Sequence, residues 1–174
     1  MNEKETRFRS LGIAVLTVSD TRTLENDTSG STLVVGLESA GHRLVGRDLL
    51  PDNIYRLRAR VSAWIADPEV EVILTTGGTG LTGRDVTCEA LRPLLDKEIV
   101  GFGELFRMLS YEEIGTSTIE SRAFAGIANS TVIFCVPGST GACRTAWERI
   151  IETQLDARHK PCNLVQLLPR LSEV

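Results

Sequence analysis

The sequence lacks the residue patterns that mark several common classes of protein. No two of its four cysteines form a C-x-x-C pair, and its two histidines lie far from each other and from any cysteine cluster. A zinc site therefore has little support, because structural zinc is held by closely spaced Cys and His ligands. A chain of this length can fold around an apolar core without disulfides. We expect reduced, mostly structural thiols at Cys88, Cys135, Cys143 and Cys162.

Long apolar runs and an excess of basic residues are missing as well. No segment approaches the roughly 18 apolar residues that a membrane-spanning helix needs. The net charge of −4 and the lack of a basic stripe disfavour a nucleic-acid-binding surface. The first residues, MNEKETRFRSLG, are polar and partly acidic, unlike a signal or transit peptide. We therefore expect a cytoplasmic protein that binds neither nucleic acid nor a membrane.

The chain length predicts a single domain. A sequence of 174 residues can bury a sizeable core within one folding unit. No internal repeat, linker or low-complexity segment divides it. We predict a flexible N-terminal tail over residues 1–10 and one domain over residues 11–174.

Apolar periodicity predicts strands that alternate with helices. Nearly continuous apolar runs predict strands at residues 12–19, 70–76 and 131–136. Alternating apolar and polar residues predict another strand at residues 42–50. Apolar residues at helical spacing predict helices at residues 29–40, 53–67, 101–109 and 139–155. This alternation predicts a doubly wound α/β sheet. Such sheets bind ligands beyond the carboxyl ends of their strands, so we expect the loops after residues 19, 50, 76 and 136 to share one edge.

The stretch TTGGTGLTGRDVT at residues 75–87 follows one of these strands and admits several interpretations. Gly78 to Gly83 matches the dinucleotide motif G-x-G-x-x-G, but that motif belongs in the first βα turn of the sheet. The same residues form a P-loop whose Lys and Ser/Thr are replaced by Arg84 and Asp85, and a carboxylate is a poor substitute for the hydroxyl. Two other interpretations stay open: a tight turn that binds no ligand, and a site for another phosphorylated ligand.

A second glycine loop favours the phosphate interpretation. Pro137-Gly-Ser-Thr140 follows the last predicted strand and precedes a predicted helix, where backbone N–H groups and the helix dipole attract anions. Asp52 and Asp85 lie in loops at the same edge, and Asp20 and Asp27 either join them or serve as turn and capping residues. Carboxylates beside phosphates need a bridging cation, and Mg²⁺ commonly enters with one or two carboxylates and substrate phosphates.

Taken together, these stretches resemble the MogA/MoaB family of molybdopterin-binding proteins. The resemblance extends from Leu11 to about Leu164, and its order and spacing make it specific. Its motifs are Thr17-Val-Ser-Asp20, Asp27-Thr-Ser-Gly30, Pro51-Asp52, Thr76-Gly-Gly-Thr-Gly80, Arg84-Asp-Val-Thr87, Gly101-Phe-Gly-Glu104 and Pro137-Gly-Ser139. The segments GSTGACRTAWE and LDARHKPCN are more similar to the MoaB branch than to the MogA branch.

The resemblance implies a fold, an assembly and a reaction. The fold would have three layers, with helices on both faces of a mostly parallel sheet, and would assemble as a trimer or hexamer. Active members work in molybdenum cofactor biosynthesis, where the terminal phosphate of molybdopterin attacks the α-phosphate of Mg–ATP and pyrophosphate leaves. The alternative is a non-catalytic molybdopterin-binding or carrier protein of the MoaB type, with weak nucleotide binding or hydrolysis. The intact RDVT element favours the transferase, and no tightly bound prosthetic group is expected.

The resemblance also assigns roles to individual residues. Asp52 and Asp85 match the essential carboxylates, which would hold Mg²⁺, ATP and the attacking phosphate in line. The phosphate-binding loop would comprise Thr76, Gly77, Gly78, Thr79 and Gly80, and the pterin pocket would include Pro137, Gly138 and Ser139. The remaining substrate-binding residues carried over are Ser19, Asp20, Asp27, Gly30, Arg84 and Glu104. We further expect a subunit contact at the apolar cluster Phe102, Leu105, Phe106, Met108 and Leu109.

Overall fold

A computed structural model of the protein describes residues 7–173, and its six strands form one mixed sheet in the order β2-β1-β3-β6-β5-β4. The strands are β1 (Gly12–Val18), β2 (Arg43–Leu50), β3 (Val72–Thr76), β4 (Lys97–Glu98), β5 (Phe124–Ala128) and β6 (Thr131–Val136). The first three and β6 pair in parallel, whereas β5 pairs antiparallel with both β6 and β4. The mostly parallel sheet predicted from the sequence is confirmed.

Helices connect the strands. They are α1 (Thr28–Ser39), α2 (Ile54–Ile65), α3 (Thr87–Leu91), α4 (Val100–Ile114), α5 (Thr140–Ala146) and α6 (Glu152–Gln154), with 3-10 turns at Arg92–Leu94, Gly115–Glu120 and Leu168–Arg170. Side chains of Asp27, Asn53 and Ser139 accept backbone N–H bonds at the starts of α1, α2 and α5, which satisfies donors that the helix leaves unpaired. None of the helices in the described part of the chain has the length and apolarity needed to cross a membrane.

Two apolar clusters cover the two faces of the sheet. Alternate residues of β1 point to opposite faces, so Ile13 and Val15 belong to one cluster and Ala14 and Leu16 to the other. The first cluster includes side chains of α1, α4 and α5, and the second includes those of α2 and α3. The protein therefore has the predicted three layers, with a helix layer on each face.

The structure differs from the prediction at the antiparallel edge and in three helices. The segment FAGIA forms β5 although it consists mainly of small residues, and it joins β6 through Asn129 and Ser130, both at positive φ as in a tight hairpin turn. The predicted helix at 139–155 contains a π-helical segment at Trp147–Ile151, and α3 was not predicted. The helix predicted at 101–109 extends to Ile114.

The first described residues contact the folded domain. The Ser10 hydroxyl donates a hydrogen bond to the Gly41 carbonyl at 2.8 Å, and the Phe8 ring centroid lies 5.2 Å from that of His42. Residues 1–6 of the predicted tail lie outside the described residues. All four cysteines are free, and three of them are buried, as expected for structural thiols.

Candidate functional site

The carboxyl ends of the parallel strands open onto a cleft of about 680 Å³. The loops after β1, β2, β3 and β6 all contribute to its wall, because parallel strands end at the same edge. The cleft brings together twelve residues singled out from the sequence: Ser19, Asp20, Asp52, Thr76, Gly77, Gly78, Thr79, Gly80, Asp85, Pro137, Gly138 and Ser139. The structure thus collects residues from four separate loops around one hollow.

The glycine loop after β3 has a backbone that side chains would disrupt. Gly77 has φ 101° and Gly78 has φ 63°, in the left-handed region that favours glycine. A Cβ atom at Gly77 would lie 2.2 Å from the Val18 carbonyl oxygen, and one at Gly78 would lie 2.4 Å from Thr87 Oγ1. These positions let the backbone lie directly against its neighbours, with no side chain between backbone and cleft.

Threonine hydroxyls fix this loop to its surroundings. Thr87 donates from Oγ1 to the Gly77 carbonyl at 2.8 Å and from its backbone N–H to the Gly78 carbonyl at 2.9 Å. Thr76 Oγ1 donates to the Pro137 carbonyl at 3.0 Å and thereby joins the two glycine loops. The RDVT element and the loop after β6 are therefore both bonded to the glycine loop.

Asp52 is the carboxylate with the least satisfied environment in the cleft. Its Oδ1 atom is buried and has no hydrogen-bond partner among residues 7–173. Burial raises the pKa of Asp52, and the negative charges of Asp20 and Asp85 raise it further, whereas the positive charge of Arg84 opposes them. The backbone N–H of Asp52 donates to Asp20 Oδ1 at 3.3 Å. A cation or a proton donor near Oδ1 would complete the environment of this side chain.

Asp85 has the opposite character. Its Oδ2 atom accepts hydrogen bonds from the Thr82 backbone N–H at 2.9 Å and from Thr82 Oγ1 at 2.6 Å. Burial alone would raise the pKa of Asp85, but hydrogen bonds from Thr82 and the Gly80 backbone and the charge of Arg122 outweigh burial and lower it. The ionised form of Asp85 is therefore favoured more than that of an ordinary aspartate.

Together these carboxylates fit a divalent cation that arrives with phosphate. No group of three or more His, Cys, Asp or Glu side chains among residues 7–173 is arranged to hold a metal ion by itself. Mg²⁺ does not require such a group, since it usually binds one or two carboxylates, waters and substrate phosphates. The unpartnered Oδ1 of Asp52 and the ionised Asp85 suit that ligand set.

Two further predicted residues lie beneath the cleft. Asp27 is buried and accepts hydrogen bonds from Thr17 Oγ1 at 2.6 Å and from the Gly30 backbone N–H at 2.9 Å. Burial would raise the pKa of Asp27, but these bonds together with those from Arg47 and Ser29 lower it. A Cβ atom on Gly30 would lie 2.1 Å from Asp27 Oδ2. Both residues organise the start of α1 and do not line the cleft.

Arg84 and Glu104 also lie off the cleft wall. Arg84 forms an ion pair with Asp20, and its Nε donates to Asp20 Oδ2 at 2.7 Å. It therefore acts on the cleft through a residue that does line it. Glu104 is on the solvent-exposed face of α4, and the structure does not bring it to the other predicted residues.

The cleft has a second half that the sequence did not reveal. It is formed by α4, the segment after it and α5, and its lining includes Phe106, Ser110, Glu113, Ser121 and Thr145. Glu113 accepts a hydrogen bond from Thr145 Oγ1 at 2.6 Å. The residues carry no glycine or charge motif, so only the packing of α4 against α5 could have identified them.

The apolar cluster predicted as a subunit contact is divided by the structure. The side chains of Phe102, Phe106 and Leu109 are buried within the protein's own core, where they pack beneath α4. Leu105 and Met108 are 38% and 60% exposed. Three of the five residues are therefore core residues, because α4 presents alternate sides to the sheet and to solvent.

Comparison with known proteins identifies the family. Residues 14–157 match a family model described as "Probable molybdopterin binding domain". The chain belongs to this molybdopterin-binding family. Molybdenum cofactor biosynthesis protein B of Escherichia coli K12 is 58% identical over 163 residues, which cover 94% of this chain and 96% of that protein. The Bacillus subtilis protein of the same name is 46% identical over 142 residues, covering 81% of this chain and 84% of its own.

Solved structures agree with the family assignment. A crystal structure of molybdenum cofactor biosynthesis protein B has a TM-score of 0.82 and 47% identity, covering 84% of this chain and 92% of that one. The tungsten cofactor synthesizing protein MoaB from Pyrococcus furiosus has a TM-score of 0.74 and 37% identity, covering 82% and 91%. The predicted membership of the MogA/MoaB family is confirmed, and the relatives support a role in molybdenum cofactor biosynthesis.

Proposed function

We propose that the protein is a molybdopterin adenylyltransferase that acts in molybdenum cofactor biosynthesis. It binds molybdopterin and Mg–ATP in the cleft and transfers AMP to the terminal phosphate of the pterin. One observation carries the proposal: the buried, unpartnered Oδ1 of Asp52 lies in the same cleft as the ionised Asp85 and beside a glycine loop. This arrangement suits a cation held between carboxylates and phosphates.

The reaction exchanges one phosphorus–oxygen bond for another. An oxygen of the molybdopterin phosphate bonds to the α-phosphorus of ATP, and the bond from that phosphorus to the β-bridging oxygen breaks. Pyrophosphate leaves with the electron pair of the broken bond. The protein has to position two polyanions and stabilise charge, because phosphoryl-type transfer leaves little covalent chemistry to side chains. When bound, Mg²⁺ neutralises charge on the phosphates.

Each half of the cleft suits one part of this task. Gly77 and Gly78 bring bare backbone to the wall, where phosphate oxygens can approach closely. Asp52 and Asp85 would hold the cation and thereby orient the phosphates bound to it. The half lined by Phe106 and Glu113 combines apolar and polar side chains, which suits a flat heterocycle such as a pterin.

A non-catalytic molybdopterin carrier is the second candidate, and one observation favours it. Asp85 Oδ2 already accepts two hydrogen bonds from Thr82, so part of the carboxylate is engaged in holding its own loop. A carrier would use the same cleft and the same glycine loops. It would not need to bring the molybdopterin phosphate to the α-phosphate of ATP. Binding of pterin without transfer is its distinguishing property.

The test measures pyrophosphate release from ATP in the presence of Mg²⁺ and molybdopterin. We expect release that depends on the pterin and is lost in Asp52→Asn and Asp85→Asn. Asp48→Asn is the matched control, since Asp48 pairs with Arg60 and is not among the cleft residues. Release without pterin would indicate a nucleotide hydrolase, and pterin binding without release would indicate the carrier.

We also propose that the protein is a homo-oligomer, a trimer or hexamer. Apolar side chains on α4 and the following 3-10 turn are exposed, at 60% for Met108, 58% for Tyr111, 55% for Ile114 and 78% for Ile119. Exposed apolar side chains grouped on one surface are typical of protein contacts. Copies of the chain that pack along this surface would remove these side chains from water.

A further inference from the structure

Arg122 lies behind the glycine loop, outside the cleft that the loop lines. It stands between the 3-10 turn Gly115–Glu120 and β5, and its side chain is 28% exposed. It lines a separate hollow of about 460 Å³, which also includes Glu89 and Arg92. No glycine or acidic motif surrounds it in the sequence, and the resemblance to the family assigned it no role.

The guanidinium of Arg122 binds backbone carbonyls near both ends of the loop between β3 and α3. Its Nε donates to the Gly80 carbonyl at 2.8 Å and to the Thr79 carbonyl at 3.3 Å, and its Nη2 donates to the Asp85 carbonyl at 3.0 Å. The backbone N–H of Arg122 also donates to the Thr79 carbonyl, at 3.3 Å. One planar group thereby joins the glycine segment of this loop to the segment that carries Asp85.

An acidic partner holds this guanidinium in place. Glu89, on α3, forms an ion pair with Arg122, and Nη2 donates to Glu89 Oε2 at 3.3 Å. The bond lowers the pKa of Glu89 and raises that of Arg122, so both groups stay charged. The rigid fork of an arginine can serve this carboxylate and the carbonyls together, which the point charge of a lysine cannot.

The orientation of the carbonyls bound by Arg122 determines which backbone groups face the cleft. In a planar trans peptide the carbonyl and the following N–H point in opposite directions. With its carbonyl turned towards Arg122, the peptide between Thr79 and Gly80 turns its N–H away from Arg122. Gly80 lies against the Asp85 carboxylate, since a Cβ atom on Gly80 would come within 2.8 Å of Asp85 Oδ2. Carbonyl oxygens are thus kept from the phosphate side, where they would repel a polyanion.

We propose that Arg122 is a positioning residue, which sets the glycine loop and the Asp85 carboxylate in their binding geometry without touching the ligand. It acts on Asp85 by two routes, directly through the Asp85 carbonyl and indirectly through the Thr79–Gly80 peptide. The inference rests on the proposed function for its effect on transfer. Its effect on the loop holds whether the protein is a transferase or a carrier.

The test compares Arg122→Gln with Arg92→Gln, a matched control. Arg92 lines the same hollow but pairs with Glu98 and stacks on Phe124. We expect Arg122→Gln to lose backbone hydrogen-exchange protection selectively over residues 79–85, and Arg92→Gln to keep it. Pyrophosphate release by Arg122→Gln should fall roughly 10- to 100-fold, since misplacement by about 1 Å can cost that much.

Chemical rescue separates positioning from general stabilisation. Guanidinium ion at millimolar concentration should restore loop protection and activity to Arg122→Ala, because the hollow opens to solvent, whereas ammonium should not. Unchanged protection over residues 79–85 in Arg122→Gln would overturn the proposal, as would an equal loss across the whole sheet. If the wild type shows no transfer, the proposed function fails, but the hydrogen-exchange comparison still decides the role of Arg122.

Discussion

The Oδ1 atom of Asp52 lies 2.7 Å from the position that a Cβ atom on Gly78 would occupy. The carboxylate and the glycine backbone are therefore in close contact, and the geometry of one depends on the other. Asp52 follows β2 and Gly78 follows β3, so the contact also links two of the loops at the carboxyl edge of the sheet. It explains why this position of the loop has no side chain.

Substitution of this glycine should damage both the fold and the site. In Gly78→Ala, the new methyl group meets Thr87 Oγ1 and Asp52 Oδ1 at a φ of 63° that alanine rarely adopts. We expect a loss of about 1–3 kcal/mol in the free energy of unfolding and at least a roughly tenfold loss of pyrophosphate release. Gly83→Ala is the control, since a Cβ atom there would meet no atom of the described residues within 4 Å. If the two variants melted at the same temperature, the close contact between Gly78 and Asp52 would be contradicted.

Removal of the charge on Asp52 should stabilise the ligand-free protein against unfolding. Burial raises the pKa of Asp52, so the folded state is stabilised when this carboxyl is protonated. That stabilisation is lost as pH rises through the folded-state pKa. At neutral pH, Asp52→Asn should melt about 1–4 °C higher than the wild type, corresponding to roughly 0.5–1 kcal/mol, a small gain because solvent screens this half-buried carboxylate. The gain should disappear below the carboxyl's ordinary pKa. A variant that melts lower at neutral pH would show that Asp52 is well satisfied.

The same substitution at Asp85 should lower the free energy of unfolding. The pKa of Asp85 is lowered, so its stabilising contribution is present above the ordinary carboxyl pKa and is lost as pH falls through the folded-state pKa. Asp85→Asn should cost about 0.5–1 kcal/mol at neutral pH, because the charged acceptor for Thr82 is lost in a partly solvated setting. Thr82→Val removes one donor alone and should cost less. Thermal melts between pH 3 and 7 would measure both, and a pH-independent difference would contradict this sign.

The exposed apolar surface of α4 should respond to charge. Met108→Glu places a carboxylate among exposed apolar side chains and should weaken self-association, which sedimentation velocity would detect as a smaller species. Val35→Glu is the control, since Val35 is 63% exposed on α1, a different helix. If Met108→Glu sediments like the wild type while Val35→Glu dissociates, the subunit contact lies elsewhere.

Local sequence patterns predicted the centre of the fold better than its edge. Buried parallel strands read as continuous apolar runs, so Gly12–Val18 and Thr131–Val136 were evident. The strand Phe124–Ala128 was not predicted, because its pairing with β6 depends on the hairpin at Asn129 rather than on β-branched residues. The sequence left open whether Asp27 joins the site or caps a helix, and the structure shows a buried cap held by its tertiary partners Thr17 and Arg47.

The candidate site shows the same division. The loops carrying Asp52, Asp85 and Ser139 could be placed at one edge from the order of strands and helices alone. Arg122 could not be identified, because its partners are backbone carbonyls about 40 positions away in the chain, and carbonyls leave no trace in residue type. Glu113 and Thr145 enter the cleft only because α4 packs against α5.

Transfer of label from α-³²P-ATP to molybdopterin is the most direct test of the proposed reaction. With Mg²⁺ and the purified wild-type protein, the label should appear in a pterin-bound product, and Asp52→Asn and Asp85→Asn should form none. Asp48→Asn should form as much as the wild type. If the wild type binds molybdopterin but leaves all label in ATP, the adenylyltransferase proposal is contradicted, and the protein is a carrier.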